Sequence, residues 1–133
     1  MKDLVWDHVL CVGIDEIDDD HRRLVDLFNI LNHSVEEGDS ADYVAAVLEE
    51  LINCTVWHFS HEERLMLKYS YKGTEEHKME HQELISSARE LQQKYLQLGK
   101  LDEKEDLQFL EHWLTEHILV ADNRLGAYLI EVM

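Results

Sequence analysis

The chain has 133 residues, enough for one domain around one core, and its 45% hydrophobic content is that of a globular chain, which excludes wholesale disorder. A formal net charge of −17 repels nucleic acid and anionic lipid and favours a monomer that does not self-associate. With no proline and only 5 glycines, nothing in the chain breaks long helices.

The N-terminal segment Met1-Lys2-Asp3-Leu4-Val5-Trp6-Asp7 lacks the apolar run of a signal peptide. No stretch approaches the roughly 18 apolar residues of a membrane span. The two cysteines, Cys11 and Cys54, have no CxxC spacing and are expected to be free thiols in a reducing compartment. A cytoplasmic protein without membrane insertion is the expectation.

Residues 1–18 read as an irregular arm. Trp6, Val9, Leu10, Val12, Ile14 and Ile17 make it too apolar for a free tail, so it is expected to pack on the domain. Asp18, Asp19 and Asp20 supply an N-cap and negative charge at the positive end of a helix dipole. The first helix is predicted over about 19–37, with the stripe His21, Leu24, Phe28, Leu31, Val35 spaced three and four apart. Gly38-Asp39-Ser40 form a turn. The second helix covers about 41–67, with Val44, Val47, Leu51, Cys54, His58, Glu62 and Leu65 on its stripe. Lys68 to Gly73 form a loop, and Thr74 is placed to cap the third helix, about 75–97, with His77, His81, Leu84, Ala88, Leu91 and Tyr95. Gly99 ends it. Asp102 is placed to cap the fourth helix, about 104–130, with Leu107, Leu110, Leu114, His117, Ala121 and Leu125. Four amphipathic helices joined by short turns predict an all-α, up-down-up-down antiparallel four-helix bundle with an ordered N-terminal arm.

Five histidines and two carboxylates fall on these apolar stripes: His21, His58, Glu62, His77, His81, His117 and Asp122. In an antiparallel bundle all of them lie toward the same end. Burying them without a partner is costly, and a pair of metal ions turns that cost into a binding site. His58 and Glu62 are four apart, as are His77 and His81, so each pair projects from one helix face. One such pair is a weak signal; the combination is strong, because every helix contributes. Seven ligands exceed one tetrahedral zinc, and calcium or magnesium takes mostly oxygen. Imidazole with a few carboxylates suits iron, copper, nickel or zinc, and a dinuclear iron site is the expectation. Two carboxylates and a hydroxide bridge offset most of the charge of two divalent ions. His117 and Asp122 are five apart, about 140° around an ideal helix, so facing one cluster requires a π-type widening between residues 117 and 122.

These residues resemble the hemerythrin family, in particular the single-domain bacterial hemerythrins. The likeness runs over essentially the whole chain. Gly13-Ile14-Asp15, Ile17-Asp18, His21-Arg22 and Leu24 resemble the family's entry into its first helix; His58-Phe59-Ser60-His61-Glu62-Glu63 resembles its HFxxEE segment; His77 to His81 matches its HxxxH and His117 to Asp122 its HxxxxD. One departure is Asp20, where relatives commonly carry glutamine; it alters hydrogen bonding around the ligands and removes none of them. The resemblance implies two iron ions (Fe2+/Fe3+) with an oxo or hydroxo bridge, and reversible O2 binding for storage, transport or delivery. It implies that His77, His81 and His117 hold one iron, that His21 and His58 hold the other, which keeps an open position, and that Glu62 and Asp122 bridge them. Leu24, Phe59, Trp113, Leu114 and Ile118 flank the ligands with apolar surface and are expected to line the O2 pocket, excluding water. The partners implied are O2 itself and an O2-consuming acceptor protein.

Two other classes remain as alternatives. An O2 or redox sensor, or an iron- or NO-handling module, would use the same domain, usually joined to signalling segments, and here the fourth helix is expected to run almost to Met133. A ferritin-like di-iron oxidase needs Glu-x-x-His motifs, and no histidine of this chain has glutamate three positions before it. A zinc protease needs HExxH, where Lys78 stands; the protein is therefore not expected to be an enzyme. His8 and His33 read as arm or surface residues, and His112 as solvent-facing. His61, about 60° off the direction of His58, reads as exposed or as supporting the ligands.

Overall fold

The computed structural model describes residues 3–6 and 10–133, with the side chain of Glu103 outside that set. His8 and Val9 therefore lie outside the described residues. Helix α1 spans Asp15–Glu36, α2 Ala41–Lys68 and α3 Thr74–Leu98. The fourth arm of the bundle is composite: a π-helical turn Glu103–Leu107, α4 Gln108–His117, a second π-helical segment Ile118–Asp122, and α5 Asn123–Val132. Short turns join neighbouring helices, so they run antiparallel as a four-helix bundle.

Local chemistry sets most of the ends. Ser40 caps α2, its Oγ accepting the Tyr43 N–H at 3.2 Å. Gly99 closes α3 in the left-handed conformation, φ 70°, a geometry that glycine adopts at little steric cost. Asp102 Oδ1 accepts the N–H groups of Lys104 and Glu105 at 2.8 and 2.9 Å, the cap its position suggested. Thr74 instead lies inside α3, and its hydroxyl donates to the Tyr71 carbonyl.

The first helix begins at Asp15, four residues earlier than the aspartate run suggests. The N–H groups of Ile17 and Asp18 already donate to the Ile14 carbonyl. Asp18 Oδ1 accepts the Val12 N–H at 2.7 Å, so this aspartate ties the arm to the helix instead of capping it. The arm is ordered where described. Leu4 and the Asn29 amide exchange two hydrogen bonds of 2.8 Å, and the Arg22 guanidinium lies 5.4 Å from the Trp6 ring centroid.

Two apolar clusters build the interior. The larger contains Leu24, Phe28, Leu31, Leu48, Leu51, Leu110, Trp113, Leu114 and Ile118 among others. The smaller contains Val12, Ile14, Ile17, Met66, Leu125 and Leu129. On α1, α2 and the fourth arm, buried polar residues separate them: His21 lies between Ile17 and Leu24, Glu62 precedes Met66, and Asp122 lies between Ile118 and Leu125. The core thus holds one polar layer between two apolar ones. Met66, fully buried, takes the place expected of Leu65, which is half-buried; the stripe drifts by one residue over a long helix because 3.6 residues per turn does not match a strict repeat.

Candidate metal centre

All seven residues singled out by pattern meet in the polar layer. His21 comes from α1, His58 and Glu62 from α2, His77 and His81 from α3, His117 from the last residue of α4, and Asp122 from the end of the π segment. None is more than 5% exposed. The π segment Ile118–Asp122 is the widened turn that the five-residue spacing requires, and it rotates the buried Asp122 carboxylate onto the His117 face.

The donors form two overlapping groups. Glu62, His77, His81, His117 and Asp122 make one; His21, His58, Glu62 and Asp122 make the other, with one donor atom per residue mutually within 4.8 Å in each. The two shared carboxylates are two-faced. Asp122 Oδ2 lies 2.8 Å from His21 Nε2, while its Oδ1 lies 3.1 and 3.0 Å from the Nε2 atoms of His77 and His117. Glu62 Oε2 lies 3.5 Å from His58 Nε2, while its Oε1 lies 3.5 and 3.0 Å from the Nε2 atoms of His77 and His81. Each carboxylate therefore turns one oxygen to each histidine group.

An outer set of carboxylates orients the imidazoles. Asp20 Oδ2 accepts from His58 Nδ1 at 2.8 Å, Glu63 Oε2 from His81 Nδ1 at 3.0 Å, and Glu80 Oε1 from His117 Nδ1 at 2.7 Å. With Nδ1 carrying the proton, Nε2 presents its lone pair inward, the tautomer a metal ligand needs. Sequence pattern did not single out Glu63 and Glu80. Each directly follows or precedes a cluster residue, about 100° around the helix from it, and so reads as surface.

The inward atoms lack ordinary partners. Both ring nitrogens of His21, the Nε2 atoms of His58, His77, His81 and His117, and all four oxygens of Glu62 and Asp122 are buried without a geometrically sound hydrogen bond among the described residues. Such a convergence of orphaned nitrogen and oxygen atoms is costly unless something binds them, and the donor set fits first-row transition metals. Without metal, protons fill that role. Burial opposes a charge on His58, but the Glu62 charge and the Asp20 hydrogen bond outweigh it and raise its pKa to about 10. For His77, burial is likewise outweighed by the close approach of the Asp122 and Glu62 carboxylates, and the pKa rises to about 9. Burial and their mutual repulsion push Glu62 and Asp122 up, yet the surrounding histidines hold both well below the usual carboxylate range.

A cavity of about 10 Å³ adjoins the cluster, room for one guest of about water's size. Leu24, Phe59, Trp113, Leu114 and Ile118 line it, as do Thr55, Leu84, His21, His58, His117 and Asp122. Its polar side chains outside the cluster are already committed: the Thr55 hydroxyl donates to the Leu51 carbonyl at 2.7 Å, and Trp113 Nε1 to the Leu84 carbonyl at 2.9 Å. Phe59 stacks on His81 with ring centroids 3.7 Å apart.

The remaining histidines lie outside the cluster where described. His112 is exposed and pairs with Glu116. His33 is half-exposed and meets Asp3 at 2.6 Å. His61 donates to Asp20 at 2.7 Å, supporting a cluster histidine at one remove. Cys11 and Cys54 form no disulfide.

Fold and site together define a class: a four-helix bundle whose polar core layer is a histidine–carboxylate cluster able to bind two metal ions. Residues 12–129 match the model of the hemerythrin HHE cation binding domain, and the chain belongs to the hemerythrin family. It is 36% identical over 119 residues to a bacteriohemerythrin of Pseudomonas paraeruginosa, covering 89% of this chain and 76% of that one. It is 32% identical over 117 residues to a hemerythrin-like protein of Naegleria gruberi, covering 88% of this chain and 86% of that one. The crystal structure of a wild-type hemerythrin superposes with a TM-score of 0.85 at 28% identity, over 95% of this chain and 97% of that one. Among the described residues no helix is long and apolar enough to cross a membrane.

Proposed function

We propose that the seven residues hold two iron ions and that the protein binds O2 reversibly at one of them, as a carrier or store and not as a catalyst. The observation that carries this reading is the two-faced placement of Glu62 and Asp122, each directing one oxygen to the three-histidine group and one to the two-histidine group. When bound, the iron pair supplies the two electrons that hold and release O2. His77, His81 and His117 would hold one ion and His21 and His58 the other, with Glu62 and Asp122 shared between the two groups. The second group offers one protein donor fewer, so an ion held there would leave room for a small ligand. Both histidines of that group, His21 and His58, line the cavity, together with His117 and Asp122, so a guest there would lie beside the cluster.

The chain's own contribution is to orient and to exclude. Asp20, Glu63 and Glu80 fix which ring nitrogen of three histidines faces inward. Leu24, Phe59, Trp113, Leu114 and Ile118 keep bulk water and its protons from the guest. The fold alone would not carry a function; the reading rests on the site. A cytoplasmic role feeding O2 to a consuming protein fits this reading.

The deciding experiment records the visible absorption of the anaerobically reduced, iron-loaded protein before O2, after O2, and after its removal. Colour that appears with O2 and vanishes on removal is the expected result. Colour that persists until a reductant is added overturns reversible binding and points to an oxidase or a one-shot redox sensor.

A further inference from the structure

A second group of donors stands outside the cluster. Asp20 Oδ2 accepts from His58 Nδ1 and His61 Nδ1, at 2.8 and 2.7 Å, and the other ring nitrogen of His61 lies 3.8 Å from Glu16 Oε1. Asp20, His58 and His61 offer donor atoms mutually close enough to hold one ion. Glu63 and Glu80 each bond one cluster histidine too, but among the described residues no comparable group of three donors forms around either. Side-chain exposure is 46% at Glu16, 13% and 14% at His61 and Asp20, and 1% at His58. The series thus leads from solvent to the outer face of an imidazole whose inner face belongs to the buried cluster.

We propose that Glu16, His61 and Asp20 form an outer divalent-cation site through which iron reaches and leaves the cluster. The proposal rests on the two-iron reading above. A hydrated dication cannot shed its water in one step at the mouth of an apolar core; nitrogen and oxygen donors spaced along the way replace that water in stages. Glu16 and His61 Nε2 supply the first donors at the surface, and Asp20 with the inner nitrogen of His61 the next. His58 then stands between the ion and the Glu62 carboxylate, and the net acidity of the chain raises the concentration of cations around the molecule.

The test uses the reduced, iron-loaded protein mixed with an excess of an Fe2+-specific chelator, with the rate of iron release as the readout. Entry and exit share one path, so removing a donor slows both. His61→Ala, first loaded to two irons per chain, is expected to release them more slowly than the parent, by on the order of tenfold. Glu16→Gln, at the exposed end, is expected to slow release in the same direction. If His61 only held Asp20 against His58, its removal would loosen a ligand and speed release. Release as fast as the parent's, or faster, in either variant overturns the proposal. A parent protein that does not hold two irons per chain overturns the two-iron reading instead.

Discussion

At the scale of single residues, the cluster is built from side chains with two tasks. Each of His58, His81 and His117 gives one ring nitrogen to a carboxylate outside the cluster and keeps the other for its interior. Six of the seven inward residues were legible in the sequence because they interrupt apolar stripes at helical spacing; Asp122 was legible through its five-residue spacing from His117, which a widened turn brings to the same face. The outward carboxylates were not, since a glutamate beside a stripe is usually just surface; Asp20 drew notice as helix-start charge and as a departure from the family pattern, not as the partner of His58. The cavity wall was legible in most of its apolar members, whereas Thr55 and Leu84 were not assigned to it, although each lies one helical turn from a cluster histidine: Thr55 is polar, and Leu84 read as part of the bundle's apolar stripe. Leu24, only 1% exposed, is the wall residue from the same helix as His21. Leu24→Ala opens a cavity in the core, costing about 2–5 kcal/mol, and admits water beside the bound guest. Oxygenated Leu24→Ala is therefore expected to oxidise irreversibly faster than the parent, by on the order of tenfold. Decay of the oxygenated absorption measures this, and an unchanged rate would show that Leu24 does not guard the site.

At the scale of elements, the fourth arm of the bundle carries the least regular structure. A regular α-helix from His117 onward would turn residue 122 away from residue 117; the π segment Ile118–Asp122 brings both to one centre. The five-residue spacing announced this distortion, because both residue types suit a metal and only a wider turn unites them. A neighbouring feature was not legible. The arm crosses α5 at Gly126, where an added Cβ would stand 2.5 Å from the Val12 carbonyl oxygen and 2.7 Å from its Cβ. The pattern shows a glycine in a helix but cannot show what lies against it. Gly126→Ala should improve helix propensity by about 1 kcal/mol, yet the clash with backbone dominates and the arm must shift. The expected outcome is a net loss of about 1–3 kcal/mol, read as a lower denaturant midpoint. A stabilised variant would mean that the arm does not rest there.

At the scale of the whole molecule, the polar layer between two apolar clusters makes stability depend on what fills it. In the metal-free protein the raised pKa values of His58 and His77 mean that their protonated forms stabilise the fold. That contribution is fully present below the ordinary histidine value of 6.5 and is lost as pH rises through about 9 and 10. The lowered carboxylates work in the opposite sense: their contribution is present above the usual carboxylate range and is lost as pH falls through their folded values. Metal binding requires neutral imidazoles, so protons compete with it. Metal-free protein is therefore expected to lose thermal stability between pH 7 and pH 10, by on the order of a few kcal/mol. Iron-loaded protein should hold its stability over the same range and lose it on acidification. It should also melt higher than the metal-free form at neutral pH, by linkage. Melting curves of both forms across pH check this, and parallel pH profiles would show that the cluster does not exchange protons for metal.

By itself the sequence determined the helical class, the bundle and the membership of the cluster, because helix periodicity places side chains on faces, and seven polar groups on apolar faces admit few explanations. Helix ends followed to within a residue or so wherever a turn or a loop bounded them. Only the tertiary structure decided which oxygen of Glu62 and Asp122 faces which histidine, which outer carboxylates orient the rings, and where the arm lies. Those are relations between side chains on different helices, set by packing angles and axial offsets of a few ångströms that no single helix's pattern encodes. The start of α1 belongs with them: Asp18 reads as a cap in isolation, and becomes a first-turn residue once its carboxylate accepts the Val12 N–H of the arm.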